Sequence, residues 1–174
     1  MRNSKAKTVA RMGLMLALAL ILALMERMIP PLPMLPPGVN LGLANIVVMY
    51  CVFFLGARHA FGIAALKSAF VALTRGPVAG ALSLCGGLLS LLVIWVLIAA
   101  FKRRISYVAT SICGAVGHNA GQIFLASLIL NTMALYYLPV LIVSGIVMGM
   151  MTGATLTVLL PILHRISGMG SGSR

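Results

Sequence analysis

Lys67 is the residue whose position most strongly suggests chemistry, because it lies near the middle of an apolar run at about residues 60–74. A lysine at the centre of a membrane-spanning helix costs about 2.5–3.5 kcal/mol on insertion scales, so such residues usually face a cavity or a partner. The alternative is a lysine that snorkels along a short helix. Glu26 is the only carboxylate in the chain, so an anionic ligand or backbone carbonyl groups would have to balance the charge.

A second group of polar residues is the run GHNAGQ at 117–122, inside another apolar segment. His118 and Gln122 are four residues apart and therefore share one face of a helix. Together with Asn119 they need hydrogen-bond partners at membrane depth, which either a ligand or a polar clamp between helices would supply. A metal site is not predicted, because a single intramembrane histidine lacks the further histidine, carboxylate or thiolate ligands that metals require.

A third group combines two asparagines with an arginine. Asn40 and Asn45 lie at the start of one apolar run, and Arg75 ends the run that contains Lys67. With the orientation derived below, these groups and Gln122 fall in the outward half of the membrane. Basic groups with amide donors suit a ligand that bears phosphate, carboxylate or a conjugated carbonyl system. The predicted substrate-binding residues of this outward-facing pocket are Asn40, Asn45, Lys67, Arg75, His118, Asn119 and Gln122.

The composition indicates that membrane helices position these residues. Of the 174 residues, 61% are hydrophobic and 8% charged, whereas soluble domains are about 25% charged. The net charge of +12 would suggest nucleic acid in a soluble protein. Here the basic residues sit between long apolar runs, where lysine and arginine set membrane orientation. The cysteines Cys51, Cys85 and Cys113 lack the paired spacing of a zinc or redox site and are expected to be buried free thiols.

The apolar runs predict an all-α integral membrane domain with six spans over residues 1–167. A span needs about 20 apolar residues, or fewer where its ends snorkel. The predicted spans cover about residues 11–29, 41–55, 60–74, 78–101, 105–130 and 139–163, followed by a flexible tail at 168–174. The first run could instead be a signal peptide, but no clean small-x-small cleavage site follows it. Five prolines within residues 30–38 predict a stiff extended loop.

The basic residues are distributed unevenly between the two sides of such a bundle. One side would carry Arg2, Lys5, Lys7, Arg11, Arg58, Lys102, Arg103, Arg104, Arg165 and Arg174. The other would carry only Arg27 and Arg75. The positive-inside rule therefore predicts both termini in the cytoplasm, and it places the loop at 30–38 outside. The expected location of this multi-pass protein is the bacterial cell membrane.

Two spans carry ridges of small residues, which allow helices to pack closely. The ridge of Gly145, Gly149 and Gly153 in the sixth span is expected to serve internal packing. In the first span, the spacing of Ala19 and Ala23 fits either internal packing or contact with a partner subunit.

Several catalytic motifs are missing from the sequence. No glycine-rich phosphate loop ending in Lys-Ser/Thr occurs, so the chain is not predicted to hydrolyse ATP itself. The chain contains no aspartate, which excludes a Ser-His-Asp triad and an Asp-rich cluster that would hold Mg²⁺ and diphosphate. No catalytic residue is therefore predicted in this chain alone.

Three segments together resemble a known family: PPGVNLGLANI at 36–46, GGLLSL at 86–91 and GAVGHNAGQ at 114–122. They are similar to the Gx transporter family, also described as heptaprenyl diphosphate synthase component I, and the resemblance covers about residues 8–165. That family resembles the S components of energy-coupling factor (ECF) transporters. S components are six-helix proteins that bind vitamins or cofactors and associate with a membrane coupling subunit and two ATP-binding subunits.

The resemblance implies a function and a set of partners. It implies a substrate-binding S component for a vitamin- or cofactor-like solute, with a flavin or a quinone or prenyl precursor favoured and haem-like cofactors open. No intrinsic cofactor is predicted, so a bound flavin would be substrate. The resemblance also implies that Ala19 and Ala23 dock on the coupling subunit and that the loop at 30–38 gates the pocket. The alternative is a non-catalytic membrane subunit of heptaprenyl diphosphate synthase.

Overall fold

The computed structural model describes residues 2–28, 44–101, 105–130, 136 and 138–166. These residues form six helices and no strand: α1 (Arg2–Met28), α2 (Asn45–Phe54), α3 (Ala57–Arg75), α4 (Pro77–Phe101), α5 (Tyr107–Leu130) and α6 (Leu138–Ile166). Asn40, the proline-rich loop at 30–38, the basic loop at 102–104 and the tail at 168–174 lie outside the described residues.

Four of the helices are long and apolar enough to cross a membrane. The candidate spans are Thr8–Met25, Pro77–Phe101, Tyr107–Ile129 and Leu138–Val158. The described part of α2 has only ten residues, about 15 Å of helix at 1.5 Å per residue. Helix α3 is long enough, with 19 residues, but Arg58, Lys67 and Arg75 make it less apolar. The chain is thus an all-helical, multi-pass membrane protein, and the number of six spans stays a prediction.

Two glycines reverse the chain between α2, α3 and α4. Gly56 and Gly76 have φ angles of 90° and 94°, a backbone region that side-chain-bearing residues rarely adopt. Their amide groups donate hydrogen bonds to carbonyl oxygens of the preceding helix, Gly56 to Cys51 at 3.0 Å and Gly76 to Ala72 at 3.0 Å. Pro77 follows as the first residue of α4, a position where its missing N–H costs nothing. Through these short connections α3 packs against both α2, which precedes it, and α4, which follows it.

Helices α4, α5 and α6 pack through glycines, with backbone against backbone. A β-carbon placed on Gly121 of α5 would lie 2.9 Å from the carbonyl oxygen of Cys85 and 3.0 Å from the Cα of Gly86, both on α4. One placed on Gly153 of α6 would lie 2.5 Å from the Cα of Val108 on α5. Small residues at both contacts let the helices approach to van der Waals distance, which is the main source of helix association in lipid. We call this part, α4 to α6, the glycine-packed half.

Helices α1, α2 and α3 pack through side chains instead. Their shared core is made of aliphatic and small residues: Ala19, Val47, Val48, Met49, Cys51, Val52, Ala60, Ile63 and Ala64, with Leu91 and Ile94 of α4. Helix α1 is the least buried candidate span, since only 6% of its apolar window lies inside the protein. We call α1 to α3 the side-chain-packed half.

The structure buries one residue of the predicted docking pair. Ala19 is 0% exposed and belongs to the core that α1 shares with α2 and α3. In this conformation its methyl group packs inside the bundle, and docking of Ala19 and Ala23 on a partner stays a prediction. Ala23 is half-buried and lines an internal cavity described below.

Candidate functional site

A face of small and polar residues on α4 forms the centre of the candidate site. Ser83, Gly86, Gly87 and Ser90 are all buried, and their spacing of three, one and three residues places them on one side of the helix. The rest of α4 is strongly apolar. Each of the neighbouring helices α2, α3 and α5 places a polar side chain against this face, as the contacts below show.

Helix α3 contributes Lys67 and Ser68. The Ser68 hydroxyl donates a hydrogen bond of 3.2 Å to the Ser83 hydroxyl oxygen on α4. Lys67 is 4% exposed and lines the internal cavity, so its side chain lies inside the bundle. A buried cation at membrane depth is costly, and where it occurs it usually marks a substrate or ion site.

Helix α5 contributes His118 and Gln122, which form a pair as their spacing of four predicts. The side-chain nitrogens Nε2 of Gln122 and Nε2 of His118 are 3.1 Å apart, and both residues are almost fully buried. A β-carbon on Gly86 would lie 3.0 Å from Cε1 of His118 and 2.9 Å from Cγ of Gln122. Glycine at position 86 is therefore what lets this polar pair lie against α4.

Helix α2 contributes Asn45 at its first turn. Its amide nitrogen Nδ2 donates a hydrogen bond of 3.2 Å to the hydroxyl oxygen of Ser90 on α4, and the side chain is 4% exposed. Ser90 also lies beside Gly114 of α5, whose added β-carbon would be 3.4 Å from the hydroxyl oxygen. Because Gly114 is four residues before His118, the Asn45–Ser90 pair lies about one helical turn from the His118–Gln122 pair.

A small cavity of about 20 Å³ lies between four helices and Ala44, the residue before α2. It is lined by Ala23, Leu24, Ala44, Lys67, Phe70, Val71, Thr74, Arg75, Ser83 and His118. Such a volume holds about one water molecule, whereas pockets for drug-sized ligands measure about 300–1,000 Å³. The structure therefore brings Lys67, Arg75 and His118 to one cavity, which in this conformation is too small for a cofactor-sized molecule.

The structure places the side chain of Asn119 against α6, outside the lining of the cavity. Its Nδ2 atom donates to the backbone oxygen of Leu141 at 2.7 Å and to the hydroxyl oxygen of Ser144 at 3.4 Å, both on α6. Asn119 follows His118 by one residue, and one residue rotates the direction of a side chain by about 100° around a helix. It therefore acts as a polar clamp between α5 and α6.

Sequence and structure comparisons show the family and the fold of this chain. A family model described as heptaprenyl diphosphate synthase component I matches residues 15–159. The chain belongs to that family. No curated protein matches the chain. A solved structure described as "Structure and mechanism of the S component of a bacterial ECF transporter" is similar, at 21% sequence identity and a TM-score of 0.60, over 94% of this chain and 96% of that one. The likeness shows that the chain has the S-component fold.

In this member of the heptaprenyl diphosphate synthase component I family, some buried polar atoms of the site have no hydrogen-bond partner among the described residues. They are Oδ1 of Asn45 and Oε1 of Gln122; the His118 ring lies against the backbone of Gly86. A buried polar group without a partner costs about 1–3 kcal/mol. Buried atoms of this kind call for a partner, which a water molecule or a polar ligand would supply.

The sequence does not predict the serines of the site as binding residues, although Ser90 lies in the GGLLSL segment at 86–91. Serine is common in membrane helices, so Ser68, Ser83 and Ser90 carry little information individually. The usable signal was their arrangement: Ser83 and Ser90 are seven residues apart, on the same face as Gly86 and Gly87. For metals, the described residues contain no cluster of three or more possible ligands.

Proposed function

We propose that this protein is the substrate-binding membrane component, or S component, of an ECF-type transporter for a vitamin- or cofactor-like solute. The observation that carries the proposal is the internal cavity, in which the buried cation Lys67 meets His118 and Ser83 in the middle of an apolar bundle. Burying a lysine in a membrane bundle costs free energy, so this residue is not explained by spanning the membrane alone. The S-component fold supports the same function.

We further propose six spans with both termini in the cytoplasm and the cavity facing outward. The cavity lies between the last turns of α1 at Ala23, the start of α2 at Ala44 and the end of α3 at Arg75. All three belong to the side that carries few basic residues, which the positive-inside rule places outside. Cysteine labelling from outside tests this proposal: Met34→Cys should react and Lys102→Cys should not, and the reverse pattern would refute the orientation.

The proposed substrate carries negative charge or electron-rich carbonyl groups. Lys67 is inside the cavity and Arg75 lies at the end of α3 that borders it, so two cations face the space that a ligand would occupy. Charge-assisted hydrogen bonds to phosphate or carboxylate are about twice as strong as neutral ones. Flavins and quinone or prenyl precursors are the substrates that we favour.

The proposed partners are the ECF coupling subunit and two ATP-binding subunits, since the chain has no ATP-binding motif of its own. With Ala19 buried, docking through α1 would use a different face. Ala10, Gly13 and Ala17 are exposed, and nothing lies within 4 Å of where a β-carbon of Gly13 would be. The spacing of Gly13 and Ala17 is the small-xxx-small pattern of close helix packing. We propose this face as the docking surface.

A second candidate function follows from the family itself. Its description as component I of heptaprenyl diphosphate synthase favours a non-catalytic membrane subunit of a prenyl synthase. Under that function the polar cavity would hold a prenyl diphosphate or would only stabilise the bundle.

Affinity purification of the tagged chain from its native membrane distinguishes the two candidates. The transporter proposal predicts that a coupling subunit and ATP-binding subunits co-purify in stoichiometric amounts and that substrate uptake requires ATP. Recovery of a prenyl synthase in their place would refute the proposal and support the second candidate. The Ala17→Leu variant is the matched control, because it should lose the transporter subunits while keeping the fold.

A further inference from the structure

A second cavity, of about 350 Å³, lies between the end of α2, the end of α4 and the start of α5. It is separate from the small cavity at Lys67. Tyr107, which lines the second cavity, precedes His118 by eleven residues of α5, or about 16 Å along the helix axis. The volume of the second cavity lies within the range of about 300–1,000 Å³ for ligand pockets. It can therefore hold a molecule without any movement of the helices.

Aromatic rings and aliphatic groups form the apolar part of its wall. Phe53 of α2 meets Tyr107 of α5 edge to face, with ring centroids 5.2 Å apart and ring planes at 81°. The Phe54 ring also lines the cavity, and it stacks on Tyr50 at a centroid distance of 4.6 Å. Ile98 of α4 lies in the same wall and packs against the core of the side-chain-packed half. These rings and methyl groups fit the first carbons of an acyl chain.

Hydroxyl groups line the α5 side of the second cavity, at Ser106, Tyr107 and Thr110. The Thr110 hydroxyl donates to the backbone oxygen of Ser106 at 3.1 Å, and the Ala109 N–H donates to the Ser106 hydroxyl oxygen at 3.1 Å. Both bonds use Ser106 as an acceptor, so its hydroxyl proton can be donated to a ligand. Together with the Tyr107 O–H, it can bind the oxygens of a phosphate or an ester.

Two exposed arginines place positive charge at this end of the bundle. Arg58 is four residues beyond Phe54 and follows the turn at Gly56. Four residues span at most about 14 Å, so Arg58 stays close to the cavity. Arg11 of α1 lies close enough to Tyr50 for its charge to act on the hydroxyl group. An apolar wall, hydroxyl groups and cations thus occur together around one space.

We infer that the second cavity binds the headgroup of an anionic phospholipid from the cytoplasmic leaflet. The positive-inside rule places this end of the bundle in the cytoplasm. Basic pockets between helices on the cytoplasmic side of membrane proteins bind acidic lipid headgroups. The arginines and hydroxyl groups bind the phosphate, and the aromatic wall contacts the start of an acyl chain. This site shares no residue with the proposed substrate site and does not depend on the transport function.

Fluorescence quenching by brominated lipids tests the inference in bilayers. Trp95 is the only tryptophan in the sequence and is 56% exposed on α4, so in the unaltered protein it reports the bulk lipid. A variant with Trp95→Phe and Phe53→Trp carries its reporter in the cavity wall instead. Both proteins are reconstituted in phosphatidylcholine with a minor fraction of brominated phosphatidylglycerol or brominated phosphatidylcholine.

We expect the cavity reporter to show a preference of about 10-fold or more for phosphatidylglycerol, since each arginine beside an acidic headgroup contributes about 5-fold. Trp95 should show no such preference. Arg58→Gln and Arg11→Gln, each made in the reporter variant, should lower the preference by about 5-fold. Arg27→Gln is the matched control, because it removes the same charge at the other end of α1 and should leave the preference unchanged.

Two further measurements complete the test. Soluble glycerol phosphate should not displace the lipid, because it has no acyl chain to contact the aromatic wall. If the Phe53→Trp variant does not fold, native mass spectrometry makes the same comparison without a reporter. The unaltered protein, titrated with the two lipids, should retain phosphatidylglycerol in preference, and its Arg58→Gln variant should retain less.

The opposite outcomes would overturn the inference. Equal binding of the two lipids, or an equal loss of preference in Arg27→Gln and Arg58→Gln, would show that only the general charge of the protein attracts acidic lipid. Full displacement by glycerol phosphate would show a site for a soluble anion. Quenching of the cavity reporter by neither lipid would show that the cavity excludes lipid.

Discussion

The two halves of the bundle hold together in different ways. In the glycine-packed half, α4, α5 and α6 touch backbone to backbone, with no room for a β-carbon at Gly121 or Gly153. In the side-chain-packed half, α1 to α3 meet through aliphatic groups, and α1 is largely exposed. Backbone contacts cannot slide without clashes, whereas side chains can change rotamer. The comparison indicates a rigid half and an adjustable half, with the cavity at the boundary between them.

This division explains how a cavity of about 20 Å³ can belong to a binding protein. His118 and Ser83 lie on the rigid helices α5 and α4, whereas Lys67 and Ala23 lie on α3 and α1. Helix α3 is also held against α4, because a β-carbon on Gly80 would lie 2.7 Å from the Cα of Ala72. Movement of α1 alone, which is largely exposed, would enlarge the cavity without separating the His118–Gln122 pair from Gly86 or Lys67 from α4.

The largest expected effect comes from a glycine of the rigid half. Gly121→Val should destabilise the protein by about 3 kcal/mol or more, because overpacking at a backbone contact forces two helices apart. Its matched control is Gly13→Val in α1, where a β-carbon would meet nothing within 4 Å. Thermal unfolding and monodisperse yield in detergent measure both. Equal melting temperatures for the two variants would contradict the distinction between the halves.

The next effect separates the two faces of α1. Ala19→Leu should destabilise the isolated protein by about 1–3 kcal/mol, since Ala19 is fully buried and the added groups overfill the core. Ala17→Leu lies on the exposed face and should leave the melting temperature unchanged while abolishing assembly with the coupling subunit. Normal assembly of the Ala17→Leu variant would show that docking does not use this face of α1.

The fold could largely be anticipated from the sequence, and the site only in part. Apolar runs locate helices because the bilayer fixes the length that a span requires, and the inward position of Lys67 follows from the cost of a charge in lipid. The sequence does not show which neighbouring helix the Asn119 side chain faces. Both neighbours of α5 offer polar contacts, and only the packing of α6 shows that Leu141 and Ser144 meet this side chain. The sequence also does not distinguish the buried Ala19 from the exposed Ala17, because both are alanines on the same helix.

The smallest expected effect concerns this clamp. Asn119→Ala should lower stability by about 1 kcal/mol through loss of its hydrogen bonds to α6, and ligand affinity should not change. Gln122→Ala, only three residues away, is the comparison: it should weaken binding by about 10- to 150-fold, beyond the loss of stability that follows from its buried contact with His118. Melting temperature and affinity are measured on the same preparations. A loss of affinity in Asn119→Ala equal to that in Gln122→Ala would contradict the assignment of Asn119 to packing.

The central claim is that the cavity around Lys67 holds an anionic solute. Native mass spectrometry tests it most directly, on the unaltered protein and the Lys67→Met variant, each expressed in the same host strain. The claim predicts a small molecule of defined mass retained by the unaltered protein and absent from the variant. The variant should insert and melt normally, because methionine costs less than lysine in a membrane helix. Full retention of the same molecule by Lys67→Met would contradict the claim.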